Sequence, residues 1–146
     1  MNIYTIGFTQ KSAEEFFEIL RQNHIQLLMD IRISPSGQLS GFAQKDDLPY
    51  FLDHLSDHCQ YIHMPVLAPA KEILKDYRSD GNWERYVHRF EALMDERLIP
   101  DVLDPVLFEQ QCVCLLCSEA TPEHCHRRLV VERLQRHWPD VTVVHL

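Results

Sequence analysis

The sequence predicts an α/β fold in three layers: a mostly parallel five-stranded sheet with helices on both faces. Three observations lead there. Two short segments, Ile25–Ile31 and Cys112–Cys117, are apolar almost throughout, as strands buried on both faces of a parallel sheet must be. Segments with apolar residues at helical spacing lie between the β-prone ones, and that alternation implies crossover connections of right-handed sense. The chain has 146 residues, which suits one domain spanning 1–146, since a second would leave each core too small.

The elements follow in order. Asn2 to Ile6 is β-prone and ends at Gly7. Ser12-Ala13-Glu14-Glu15 forms a capping-box pattern, and Phe16, Phe17, Ile19 and Leu20 follow at helical spacing, so a helix is predicted over 13–23. Ile25 to Ile31 is the second strand. Residues 34–44 hold Pro35, Gly37 and Gly41 and read as a loop. Asp46 to Asp57 reads as a helix with Leu48, Phe51, Leu52 and Leu55 on one side, and Gln60 to Met64 as the third strand. Met64 to Gly81 reads as a long irregular connection with one helical turn near Ile73, a length typical of a functional lid or mobile segment. Helices are predicted over Trp83–Leu98 and Asp101–Gln110, then a strand over Cys112–Cys117. Thr121 is the expected cap of the last helix, with Pro122 at its first position, where the missing N–H costs nothing. Val141 to His145 closes the sheet.

Bulk composition narrows the function. The chain is 45% hydrophobic and 25% charged, an ordinary globular balance. No apolar run reaches the roughly 20 residues that span a bilayer, and no basic, apolar leader opens the sequence, so a membrane role is not expected. The net charge of −8 argues against extended nucleic-acid binding, which rests on clustered Lys and Arg. Five cysteines, an odd number with no leader, argue for reduced thiols in the cytoplasm rather than a disulfide framework. Oligomeric state and cofactor are not legible.

In a doubly wound sheet, ligands bind beyond the C-terminal strand ends, and the polar clusters fall there. Thr5, Gly7 and Thr9 flank the first strand-to-helix turn, where backbone N–H groups favour an anion; a plain turn is the competing reading. Asp30 and Arg32 sit at alternate positions closing the second strand and share one face. They are either a structural ion pair or an acid or base beside an anion-binding arginine. Cys117 and Glu119 end the fourth strand, and Cys125, His126 and Arg127 open the last helix. A helix dipole and an adjacent arginine stabilise a thiolate there; Glu119 can serve as a base; Arg127 offers a planar fork to an anion.

Three readings of this last cluster stay open. It is an active site for a small anionic, phosphate- or nucleotide-like substrate, with Asp30, Cys117, Glu119 and Cys125 as catalytic candidates and Thr5, Gly7, Thr9, Arg32, His126 and Arg127 as ligand-binding ones. It holds a metal on Cys117, Cys125 and His124 or His126, although the usual short Cys-x2-Cys knuckle is missing. Or the cysteines are core residues and Glu119 pairs with Arg127. A binding or regulatory module without turnover is the alternative to an enzyme.

The chain resembles, nearly end to end, the family called "domain of unknown function 488". The likeness rests on Thr5-Ile6-Gly7, Asp30-Ile31-Arg32, Phe42, Tyr61 with His63-Met64-Pro65, and above all Leu115-Leu116-Cys117-Ser118-Glu119 followed by Cys125-His126-Arg127-Arg128. It implies a compact α/β domain in a bacterial or archaeal cytoplasm and supplies no reaction. The sequence departs from the pattern at Phe8-Thr9, where many members read His-Ser, and at Leu67-Ala68-Pro69, which lacks the expected glycines. A weaker likeness is to rhodanese-type sulfurtransferases, which carry an Asp-x-Arg after a buried strand and a cysteine at a later strand end. Ten positions separate Cys117 from Arg127, with Pro122 between, so the sulfurtransferase loop is not reproduced.

Overall fold

The computed structural model describes residues 1–146, the side chain of residue 38 excepted. The elements are β1 (Asn2–Gly7), α1 (Ala13–Gln22), β2 (Leu27–Asp30), α2 (Leu48–Leu55), β3 (Gln60–His63), α3 (Lys71–Asp80), α4 (Trp83–Glu96), α5 (Pro105–Gln110), β4 (Val113–Cys117), α6 (His126–His137) and β5 (Thr142–His145). All pairings are parallel, in the order β3-β2-β4-β1-β5. The expected fold class is therefore observed.

Alternation along the strands builds two cores. Ile3, Leu27, Met29, Val113 and Leu115 point to one face, where Ile73, Phe90, Met94, Phe108, Leu129 and Leu134 of α3 to α6 cover them. Ile6, Leu28, Cys114 and Leu116 point to the other, under Phe16, Phe17, Leu20, Leu48 and Leu52 of α1 and α2. Side-chain caps fix several helix starts: Ser12 accepts from the Glu15 N–H at 3.1 Å, and Asn82 accepts from the Arg85 N–H at 3.0 Å.

Two expectations need correction. Residues 71–80, read as part of an irregular stretch, form the helix α3, closed by Gly81 in the left-handed conformation with φ 66°. That helix is mostly polar, buries only Ile73, and has Ala70 at its start with no side-chain cap, so neither an apolar run nor a capping residue marks it in the sequence. The last helix begins at His126, not after Thr121. Residues 118–125 make turns instead, with the Cys125 N–H donating to the Pro122 carbonyl.

The topology creates a crevice. The connection leaving β2 runs through α2 on one face, and the connection leaving β4 runs through α6 on the other. The two strands are neighbours, with Asp30 opposite Leu116. Adjacent strands whose chains depart to opposite faces leave a gap at their carboxyl ends. Among the described residues, no helix is long and apolar enough to cross a membrane.

Candidate functional site

A cavity of about 470 Å³ occupies that gap. Its floor holds Cys117, at the end of β4, with Cys125 and His126 at the start of α6. Cys117 Sγ lies 3.5 Å from His126 Nδ1, and His126 Nε2 lies 2.7 Å from the Ile31 carbonyl oxygen. A carbonyl only accepts, so Nε2 carries a proton and donates it. Nδ1 is left facing the sulfur, either taking the thiol proton or returning it as an N–H to a thiolate.

The surroundings favour the thiolate. Cys117 is held well below the usual thiol range by a hydrogen bond from the Cys125 thiol, by the His126 charge and by the Glu119 backbone N–H, which together overcome its burial. His126 moves the other way. Burial opposes its charged form, but the facing Cys117 sulfur outweighs this and raises it. Cys125 is pushed well above the usual range by burial and by Cys117, with Arg127 opposing. The two sulfurs and His126 Nδ1 all lie within 4.8 Å of one another, a donor set that suits a soft metal ion as well as a thiol centre.

Arg127 lies behind this group. It is fully buried, its Nη1 donates to the Glu119 carbonyl and approaches Cys125 Sγ at 3.9 Å, and its Nε and Nη2 have no partner among the described residues. It does not line the cavity. The same turn explains Gly7: a Cβ there would collide with the Glu119 carbonyl oxygen and crowd Arg127 Nη1.

The remaining candidates divide. Thr9 donates through both Oγ1 (2.6 Å) and its N–H (3.2 Å) to the Ser118 carbonyl, and Thr5 Oγ1 meets His145 Nδ1 at 2.6 Å. Thr9 therefore braces the 118–119 turn, Gly7 leaves room for it, Thr5 ties β1 to β5, and all three stand outside the cavity. Asp30 is wholly buried and bound bidentately by Arg32, Nε to Oδ1 at 2.8 Å and Nη2 to Oδ2 at 2.7 Å; the Tyr61 hydroxyl donates to Oδ2 at 2.6 Å. Burial and Asp30 both raise the Tyr61 pKa, keeping that donor neutral. Phe8, the departure from the family pattern, lies under Arg32, whose Cζ is 5.2 Å from the ring centroid. Arg32 reaches the cavity, and its Nη1 has no partner among the described residues. Glu119 lines the cavity and is exposed; it makes no ion pair with Arg127, which bonds its backbone instead.

Sequence reasoning missed the opposite wall. Lys71, Lys75 and Arg78 of α3 line the cavity with Tyr77 and, from α4, Tyr86. Their spacing of i, i+4 and i+7 puts three cations on one helix face, a signal readable only once 71–80 is taken as helical. In a chain of net charge −8, the cavity sets Arg32, Lys71, Lys75 and Arg78 against the single carboxylate of Glu119.

The family model described as Domain of unknown function DUF488 matches residues 12–134. No curated protein and no solved structure matches the chain.

Proposed function

The chain belongs to the DUF488 family, and from that premise, which names no reaction, we propose that it is an enzyme that holds a small anionic substrate at the ends of β2 and β4 and reacts with it through Cys117. One observation carries the reading: Cys117 Sγ sits 3.5 Å from an imidazole whose far nitrogen is anchored on a backbone carbonyl, on the floor of a cavity walled by cations. That is the arrangement of an activated nucleophile, its proton partner and a group that orients the partner. Arg32 offers Nη1 to the anion, while Asp30 and the Ala43 carbonyl hold its Nε and Nη2. Arg127 lies behind the pair with Nη1 3.9 Å from Cys125 Sγ, where its charge favours ionisation of Cys125. Five free thiols suit a reducing cytoplasm.

Two measurements test this. A thermal-shift screen of inorganic phosphate, nucleotides, sugar phosphates and anionic thiols should find stabilisation by RT ln(1 + [L]/Kd) in the native chain and its loss in Arg32→Gln. Native alkylation with iodoacetamide should label Cys117 first. Stabilisation by a ligand without any reaction at Cys117 would leave a binding module. Stoichiometric zinc in the purified protein, shielding Cys117 from alkylation, would contradict a free nucleophile and favour a metal centre on the three donors.

A further inference from the structure

Cys117 is not the only sulfur on the cavity floor. Cys125 Sγ faces the same space, and the two sulfurs lie within 4.8 Å of each other. A disulfide requires about 2 Å, so closure asks for a shift of less than about 3 Å. Cys125 is the cap residue of α6, with extended backbone at φ −132° and ψ 139°, and follows the turns of 118–124. That shift can therefore be taken up in the turns and needs no unwinding of helix or strand.

We infer that Cys117 and Cys125 are a redox pair that exchanges with a low-molecular-weight disulfide carrying carboxylates. The inference rests on Cys117 being the nucleophile proposed above. The Cys117 thiolate attacks one sulfur of the bound disulfide RSSR. The Cys117–SR bond forms, the RS–SR bond breaks, and the departing RS⁻ takes the proton from His126. Neutral His126 then accepts the Cys125 thiol proton, and the Cys125 sulfur attacks Cys117 Sγ, expelling the second R group as RS⁻, which His126 reprotonates. The protein dithiol is oxidised by two electrons and RSSR is reduced to two RSH; excess RSH drives the reverse.

The order of the two attacks is built into the site. While Cys117 is a thiolate, its charge and its hydrogen bond hold Cys125 protonated, in addition to burial. Conversion of Cys117 to a mixed disulfide removes both of those effects and leaves burial opposed by Arg127, so ionisation of Cys125 becomes easier. The second thiol is thus released for attack by the first step. The cationic wall of Lys71, Lys75 and Arg78 selects a disulfide bearing carboxylates.

The test uses the whole chain, glutathione disulfide and, as an uncharged probe, hydroxyethyl disulfide. After acid quench and maleimide labelling, peptide mapping should find a Cys117–Cys125 disulfide, with two thiols lost to labelling and two glutathiones released. Cys125→Ser should stall with one glutathionyl group on Cys117. Glutathione disulfide should react about tenfold faster than the uncharged probe. A native chain that keeps glutathione on Cys117 with Cys125 still free overturns the pair while sparing the nucleophile. Failure of Cys117 to react with either disulfide or with iodoacetamide removes both. Equal rates for the two disulfides overturn the selection for carboxylates.

Discussion

The cysteines at the two ends of the β4 segment have their acidities pushed in opposite directions. Cys112 and Cys114 lie at its start, with Cys59, the residue just before β3, nearby; Cys117 lies at its end. Burial pushes the Cys59 thiol up to about 12 and carries Cys114 well above the usual range. Cys112, less buried, is raised for the same reason. Cys117 is buried as deeply as Cys59, yet held low. Depth therefore does not decide thiol reactivity in this protein. What differs is that the carboxyl end of the strand receives a thiol donor, an imidazole and a backbone N–H from the turn into α6, while the amino-end thiols sit in or against the apolar core and meet backbone carbonyls, which only accept.

That contrast can be broken from the largest effect downward. Gly7→Ala forces a Cβ into the Glu119 carbonyl, so the turn that carries the Glu119 N–H and anchors Arg127 must move. We expect a loss on the order of 4 kcal/mol in urea unfolding and loss of preferential Cys117 labelling. An unchanged midpoint and unchanged labelling would refute the role given to the turn. His126→Ala removes the partner of the sulfur. The rate of Cys117 alkylation near neutral pH should fall about a hundredfold, towards that of the amino-end thiols.

Replacing Lys71, Lys75 and Arg78 together by Ala sharpens the comparison from the substrate side. These residues are exposed, so stability should change by less than about 0.5 kcal/mol. The preference of Cys117 for iodoacetate over neutral iodoacetamide should fall about tenfold; an unaltered ratio would deny the wall a part in anion capture. Cys114→Ala is the smallest change. It should cost about 1 kcal/mol of stability through a small packing defect and leave labelling at Cys117 untouched.

Most of the sheet was legible because its strands are short apolar runs with turn residues at their ends, and the ends of β2 and β4 carry Asp30, Arg32, Cys117 and Glu119 in plain sight. The convergence of Cys117, Cys125 and His126 followed from the strand-end rule. Two things were not legible. The helix α3 turns mostly polar residues outward and lacks an N-terminal side-chain cap, so its cationic face went unread. The roles inside the cluster depend on where backbone oxygens fall: the Glu119 carbonyl takes Arg127, the Ile31 carbonyl orients His126, and the Ser118 carbonyl takes Thr9. No side-chain pattern announces a backbone partner, and so Arg127 and Thr9 read as ligand-binding candidates when their observed bonds hold the turn.

The central claim is a thiolate–imidazolium pair at Cys117 and His126, and pH resolves it. The folded pKa of Cys117 is lowered, so the stability it contributes is present above the ordinary thiol range and is lost as pH falls through the lowered value. The folded pKa of His126 is raised, so its contribution is complete below the ordinary value of about 6.5 and fades as pH rises through the raised one. The pair exists between the two shifted values. Residue-resolved iodoacetamide labelling across pH tests this most directly. Cys117 labelling should set in well below the ordinary thiol range and be near its plateau around neutrality, while Cys59, Cys112 and Cys114 label only in alkaline solution. A Cys117 profile that rises together with theirs would contradict it.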